Sequence, residues 1–270
     1  LEAEFLVNYT NPECSWEQLI TSRIIWSGAV TLNPEDYADA GGYSLVWERC
    51  CRNAGIKNII NPGGTGMKYV TEIPPLWGVD NQAFVNSSPQ LFAPLGDYAC
   101  INQLYYTEFT GIDPDGDSLV YSLATPLNSS SAVALPIPQP APHPLVFFAE
   151  GYDLDHMITG DPSLSISDRG LLSVNSSASG LYLFSVVVEE YRAGLKIGHV
   201  QRDFQLLVRS EGCDPPDPPI VGVQIPDNED FIPEAEVLYY SLSDDKCFDF
   251  IVRNISPGET ISLRAEGVNF

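Results

Sequence analysis

Hydrophobic positions along this chain recur with a period of two in short runs, and the runs are separated by glycine, proline, asparagine and aspartate. Alternation places successive side chains on opposite faces of a strand, so the pattern predicts strands and turns throughout. Phe5 to Tyr9, Leu19 to Trp26, Tyr43 to Cys50 and Met67 to Ile73 come first. Between them lie the turn clusters Asn33-Pro34-Glu35-Asp36, Gly41-Gly42 and Asn61-Pro62-Gly63-Gly64-Thr65-Gly66. Gln103 to Phe109, Leu119 to Leu123, Leu145 to Phe148 and Leu171 to Val174 follow. Leu181 to Glu190 and Ile197 to Val208 then flank Ala193-Gly194 as a long hairpin. Beyond these, Ile220 to Ile225, Val237 to Leu242, Cys247 to Val252 and Thr260 to Ala265 read as four short strands. The expected fold is all-β, built of tandem immunoglobulin-like or cadherin-like sandwiches.

Proline marks the expected boundaries. Pro74-Pro75 and the run from Trp77 to Ser88 read as a linker, and Pro215-Pro216-Asp217-Pro218-Pro219 as a semi-rigid spacer. The predicted domains are residues 1–86, residues 87–211 and a small β domain over 212–270. Leu135 to Pro144 carries proline at every second position, a stiff extended segment that cannot pair as a central strand.

The most chemically pointed stretch is Asp113-Pro114-Asp115-Gly116-Asp117. Proline fixes one turn residue and glycine frees another, so three carboxylates converge. Such a group calls for a hard cation, and Ca²⁺ takes about six to eight oxygen ligands from a flexible loop. The predicted ligands are Asp113, Asp115 and Asp117, with Glu190, at the end of the Val186-Val187-Val188 strand, completing the shell. The spacing is not that of an EF-hand.

Net charge sharpens the picture: 13 Lys and Arg against 36 Asp and Glu give −23 over 270 residues. Such a surface repels nucleic acid and anionic lipid. No apolar run reaches the length of a membrane span. The opening Leu1-Glu2 reads as a mature or internal fragment.

Six cysteines without Cys-x-x-Cys spacing argue for disulfides, hence for an extracellular location. Cys50 and Cys51 are adjacent on an expected strand, so they are predicted to take separate partners, with Cys14 and Cys100 the nearest candidates. Cys213 and Cys247 are expected to pair in the last segment.

No motif joins a nucleophile to a base, and His143, His156 and His199 stand apart from any such motif. Asp153 and Asp155 are the best carboxylate pair for glycoside hydrolysis, but acids two apart are common in so acidic a chain. No turnover chemistry is expected. Trp16, Trp26 and Trp47 sit in strand contexts and read as core. Trp77 is the candidate stacking face for a glycan, which makes a glycan-binding module the alternative function.

Gly41-Gly42-Tyr43 through Trp47-Glu48-Arg49-Cys50-Cys51-Arg52-Asn53, then Asn86-Ser87-Ser88-Pro89, the Asp113 to Leu123 stretch, and Glu190-Tyr191-Arg192 through Arg202-Asp203-Phe204 together carry a resemblance. The chain resembles large secreted surface proteins of Bacteroidota that carry a gliding-motility-associated C-terminal sorting domain for type IX secretion. The Asp113 loop is also similar to those of cadherin-like calcium modules. The resemblance implies a surface adhesin, stalk or filament component whose partners are other surface proteins, copies of itself or surface glycans.

Overall fold

The computed structural model describes residues 3–6, 22–25, 27–33, 36–77, 82–91, 98–211, 220–224, 231–233 and 249–253. The fold is all-β, with several antiparallel sheets. In chain order the strands are β1 (Ala3–Leu6), β2 (Ser22–Ile25), β3 (Tyr43–Arg49), β4 (Met67–Ile73), β5 (Gln90–Leu91), β6 (Tyr98–Cys100), β7 (Tyr105–Glu108) and β8 (Gly111–Ile112). Then come β9 (Ser118–Ala124), β10 (Ser165–Ile166), β11 (Leu171–Val174), β12 (Gly180–Arg192), β13 (Leu195–Arg209), β14 (Ile220–Gln224), β15 (Phe231–Pro233) and β16 (Asp249–Arg253).

The chain divides into two compact units after β13. The first is built on a sheet in the order β3-β4-β13-β12-β9, with β6 pairing parallel to the far end of β13. This sheet crosses the boundary expected between residues 86 and 87. Val70 of β4 is opposite Gln201 of β13, so residues 43–73 belong to the same sandwich as residues 98–211 and are not a separate domain. β3 and β4 form where the alternation predicts strands, but alternation carries no record of which distant strand each one meets. The second unit holds β15-β14-β16. The strands expected at Val237 to Leu242 and Thr260 to Ala265 lie outside the described residues.

The hairpin β12–β13 is the spine. Ala193 (φ 51) and Gly194 (φ 77) turn it with two successive left-handed residues, the geometry that suits a tight hairpin. Tyr182, Phe184, Val186 and Val188 point one way from β12, into a core shared with Leu172 and Val174 of β11. There β10-β11-β7 forms the second layer of the sandwich. Phe184 stacks on Phe204 and meets Phe109 edge-on. Each of these large side chains contributes about 1.5–3 kcal/mol on burial.

Leu183 points the other way, against Ile56, Ile59 and Val146. That face is covered by loops. The expected strand Leu145 to Phe148 is part of this cover and makes only the isolated bridges Leu127–Leu145 and Ile59–Phe148. A short apolar run is equally compatible with a strand and with buried coil, and here Val146 anchors coil.

The cover is pinned by charges buried beneath it. Lys68 Nζ lies 2.7 Å from Glu48 Oε1, both side chains fully enclosed. Glu48 Oε2 accepts from the Ser130 N–H (2.7 Å) and Oγ (2.6 Å). Burial works to raise the Glu48 pKa, but the hydrogen bonds from Lys68 and Ser130 prevail and lower it to about 2. Beside it, Arg52 pairs with Asp203 and donates to the Gly66 (2.7 Å) and Leu127 (2.6 Å) carbonyls. The proline segment after Leu135 is thereby held against the sheet, with the Gln139 N–H directed at Glu48 Oε1.

Candidate metal centre

The acidic loop joins β8 to β9. Asp113 Oδ1 accepts the N–H groups of Asp115 (2.9 Å) and Asp117 (3.1 Å), which folds the loop back over its own first residue. Gly116, at φ +83, supplies the left-handed residue that the turn requires. One Asp113 oxygen is consumed in this way. The other, Oδ2, is buried and has no hydrogen-bond partner. A buried carboxylate oxygen left unpaired is costly, so its environment is incomplete without a donor or a cation.

Ligand atoms of Asp113, Asp115 and Asp117 lie within 4.8 Å of one another, and the group could hold a metal ion. Period two along β12 brings Glu190 and Arg192 to the same side as Val188; the register shift beside Glu190 and Tyr191 leaves Ile197 of β13 as the extra residue, and β12 stays regular against β9. Glu190 is 3% exposed. Burial first, and then the Asp113 and Asp117 carboxylates, push its pKa upward. Among the described residues, the carboxylates brought together closely enough to hold an ion are the three aspartates, and Glu190 stands beside them as a buried neighbour.

Arg192 supplies one internal cation. Its Nε and Nη2 reach Asp117 at 2.8 and 2.6 Å, and this contact holds the Asp117 pKa down. Nη2 also meets Asn86 Oδ1 at 2.6 Å, and Nη1 meets the Val85 carbonyl at 3.1 Å. Asn86 Nδ2 in turn donates to Glu190 Oε1 at 2.7 Å, and the Ser87 N–H donates to Asp115 at 2.6 Å. With all groups ionised, four carboxylates face one guanidinium, leaving three negative charges. A divalent cation offsets most of that excess.

Residues 82–91 are therefore not a free linker: Val85, Asn86 and Ser87 are tied to the acidic loop and to the end of β12. The functional residues that sequence reasoning passed over are Arg192 and Asn86. Both lay in stretches noted for their resemblance, but their approach to Asp117 and Glu190 bridges 75 and 104 positions.

The cysteines differ from expectation. Cys50 and Cys51 are disulfide-bonded to each other across a cis peptide. The expectation of separate partners assumed a strand through both residues. β3 ends at Arg49, so alternation no longer forces their side chains apart. Cys100 is also disulfide-bonded, and not to Cys50 or Cys51. Cys14, Cys213 and Cys247 lie outside the described residues. Asp153 is engaged at an exposed surface by His156, 2.9 Å away. Trp77 bridges to Ala83 and lines a cleft. No helix is long and apolar enough to cross a membrane among the described residues. Comparison with protein-family models, with curated proteins and with solved structures finds no match.

Proposed function

We propose that this is an extracellular surface protein with a structural or adhesive role, in which Ca²⁺ at Asp113, Asp115, Asp117 and Glu190 braces the sandwich. The observation that carries the reading is the buried, unpartnered Asp113 Oδ2 within an excess of carboxylate charge. Calcium suits an all-oxygen donor set on a flexible turn, and the loop offers no nitrogen or sulfur ligand. The ion would act within one unit. It would lock residues 84–87, the acidic loop and the end of the β12–β13 hairpin together, because all three converge on the same carboxylates. Disulfides and the resemblance to secreted Bacteroidota proteins support export. A brace of this kind adds stiffness and serves a chain that bears load between a surface and its partner.

Single-molecule pulling of the chain tests the mechanical role. The force needed to unfold the first unit should rise in calcium and fall on chelation. An Asp113→Asn, Asp117→Asn double variant should unfold at the chelated force in either buffer. Equal forces in all conditions would refute a load-bearing brace.

A further inference from the structure

A cleft of about 1020 Å³ opens on the loop-covered side of the main sheet, just above the ~300–1,000 Å³ typical of small-ligand sites. Its walls come from the start of β3, the end of β4, the start of β13, the residues Trp77 and Phe84, and the proline segment. Gly42 brings two of them together: its backbone sits at φ +81, and a Cβ there would lie 2.3 Å from the Ile73 carbonyl. The floor is thus fixed by backbone packing, and the proline wall is fixed through Glu48.

We propose that this cleft binds a neutral saccharide. Three aromatic residues, Tyr43, Trp77 and Phe84, line it alongside Glu72, Gln139 and Lys196. Apolar ring faces beside both donors and acceptors suit a pyranose, which has apolar C–H faces and a rim of hydroxyls. Charge narrows the class. Glu72 and Lys196 cancel, and burial together with the nearby Lys68 ammonium holds His143, on the same wall, toward its neutral form. A net-neutral lining inside a chain of −23 favours an uncharged ligand over an anionic or cationic one. The Trp77 indole Nε1–H is shielded from solvent, so this residue offers the cleft apolar surface and not a donor.

The site is separate from the acidic loop, although Phe84 belongs to both neighbourhoods, since the Arg192 guanidinium lies over its ring at 5.1 Å. The saccharide proposal does not depend on the identity of the metal.

The test is calorimetric titration of the intact chain with short cello-, xylo-, malto- and chito-oligosaccharides, with oligogalacturonate as the anionic comparison. At least one neutral series should bind with a dissociation constant of about a millimolar or tighter. Trp77→Leu should weaken it by about tenfold or more. Gln139→Ala, at an exposed position, should also weaken it while leaving the melting temperature unchanged, which keeps the test valid if Trp77→Leu fails to fold. Absence of binding by every neutral series, stronger binding of oligogalacturonate, or undiminished binding by Gln139→Ala would overturn the proposal.

Discussion

Replacing Lys68 by methionine removes one partner of the most enclosed ion pair among the described residues and leaves Glu48 charged beneath the proline segment. The Lys68 and Glu48 side chains are both 0% exposed, so water cannot replace the lost ammonium. Breaking a buried pair from one side costs about 3–5 kcal/mol, since the remaining charge keeps its desolvation penalty. In a body of this size that lowers the melting temperature by about 6–20 °C. The pH dependence follows from the sign of the Glu48 shift. Its folded pKa, about 2, lies below the usual 4.5, so its contribution is fully present above pH 4.5 and is lost as pH falls through 2. Without Lys68 only the Ser130 hydrogen bonds oppose burial, so the folded pKa rises and acid unfolding moves to higher pH. Thermal melts monitored by near-ultraviolet circular dichroism between pH 2 and pH 7 measure both effects, pH 2 being the value at which the wild-type contribution fades. The double variant Lys68→Met, Glu48→Leu should recover much of the loss, since an apolar pair of similar volume carries no orphaned charge. A Lys68→Met variant within about 0.5 kcal/mol of wild type, or a double variant no better than the single, would refute the assignment of this pair as the latch of the proline segment.

Non-reducing peptide mapping should return Cys50 and Cys51 bridged to each other and Cys100 bridged elsewhere, and a Cys50–Cys100 or Cys51–Cys100 link would contradict the structure. Gly42→Ala and Gly116→Ala both place a side chain at positive φ, but only the first meets backbone, the Ile73 carbonyl at 2.3 Å. Gly116→Ala should therefore cost about 1–2 kcal/mol and Gly42→Ala clearly more, as read by denaturant midpoints; equal costs would refute the close approach.

Local periodicity and the chemistry of single loops were legible in the sequence. β4 and β11 coincide with the runs Met67 to Ile73 and Leu171 to Val174, because alternation is a property of the strand itself. The convergence of Asp113, Asp115 and Asp117 followed from the turn residues between them. Long-range pairing was not legible. Pro74-Pro75 looked like the end of a domain because nothing in the run before it shows that Thr71 meets Val200. The role of Arg192 was hidden for the same reason: its carboxylate partner is 75 positions away, and an arginine at a strand end ordinarily faces solvent. The Glu48–Lys68 pair went unnoticed in the sequence, because the two opposite charges become a cross-strand pair only once the register of β3 on β4 places them side by side.

The central claim is that the acidic loop is a calcium site that stabilises the fold, and calcium titration of the chelator-treated chain by calorimetry, paired with melting curves, tests it most directly. The account predicts saturable binding, with stabilisation of about 2.7 kcal/mol at a calcium concentration a hundred times the dissociation constant, and loss of both in Asp113→Asn, Asp117→Asn. A melting midpoint that does not move with calcium, with no heat of binding, would contradict it.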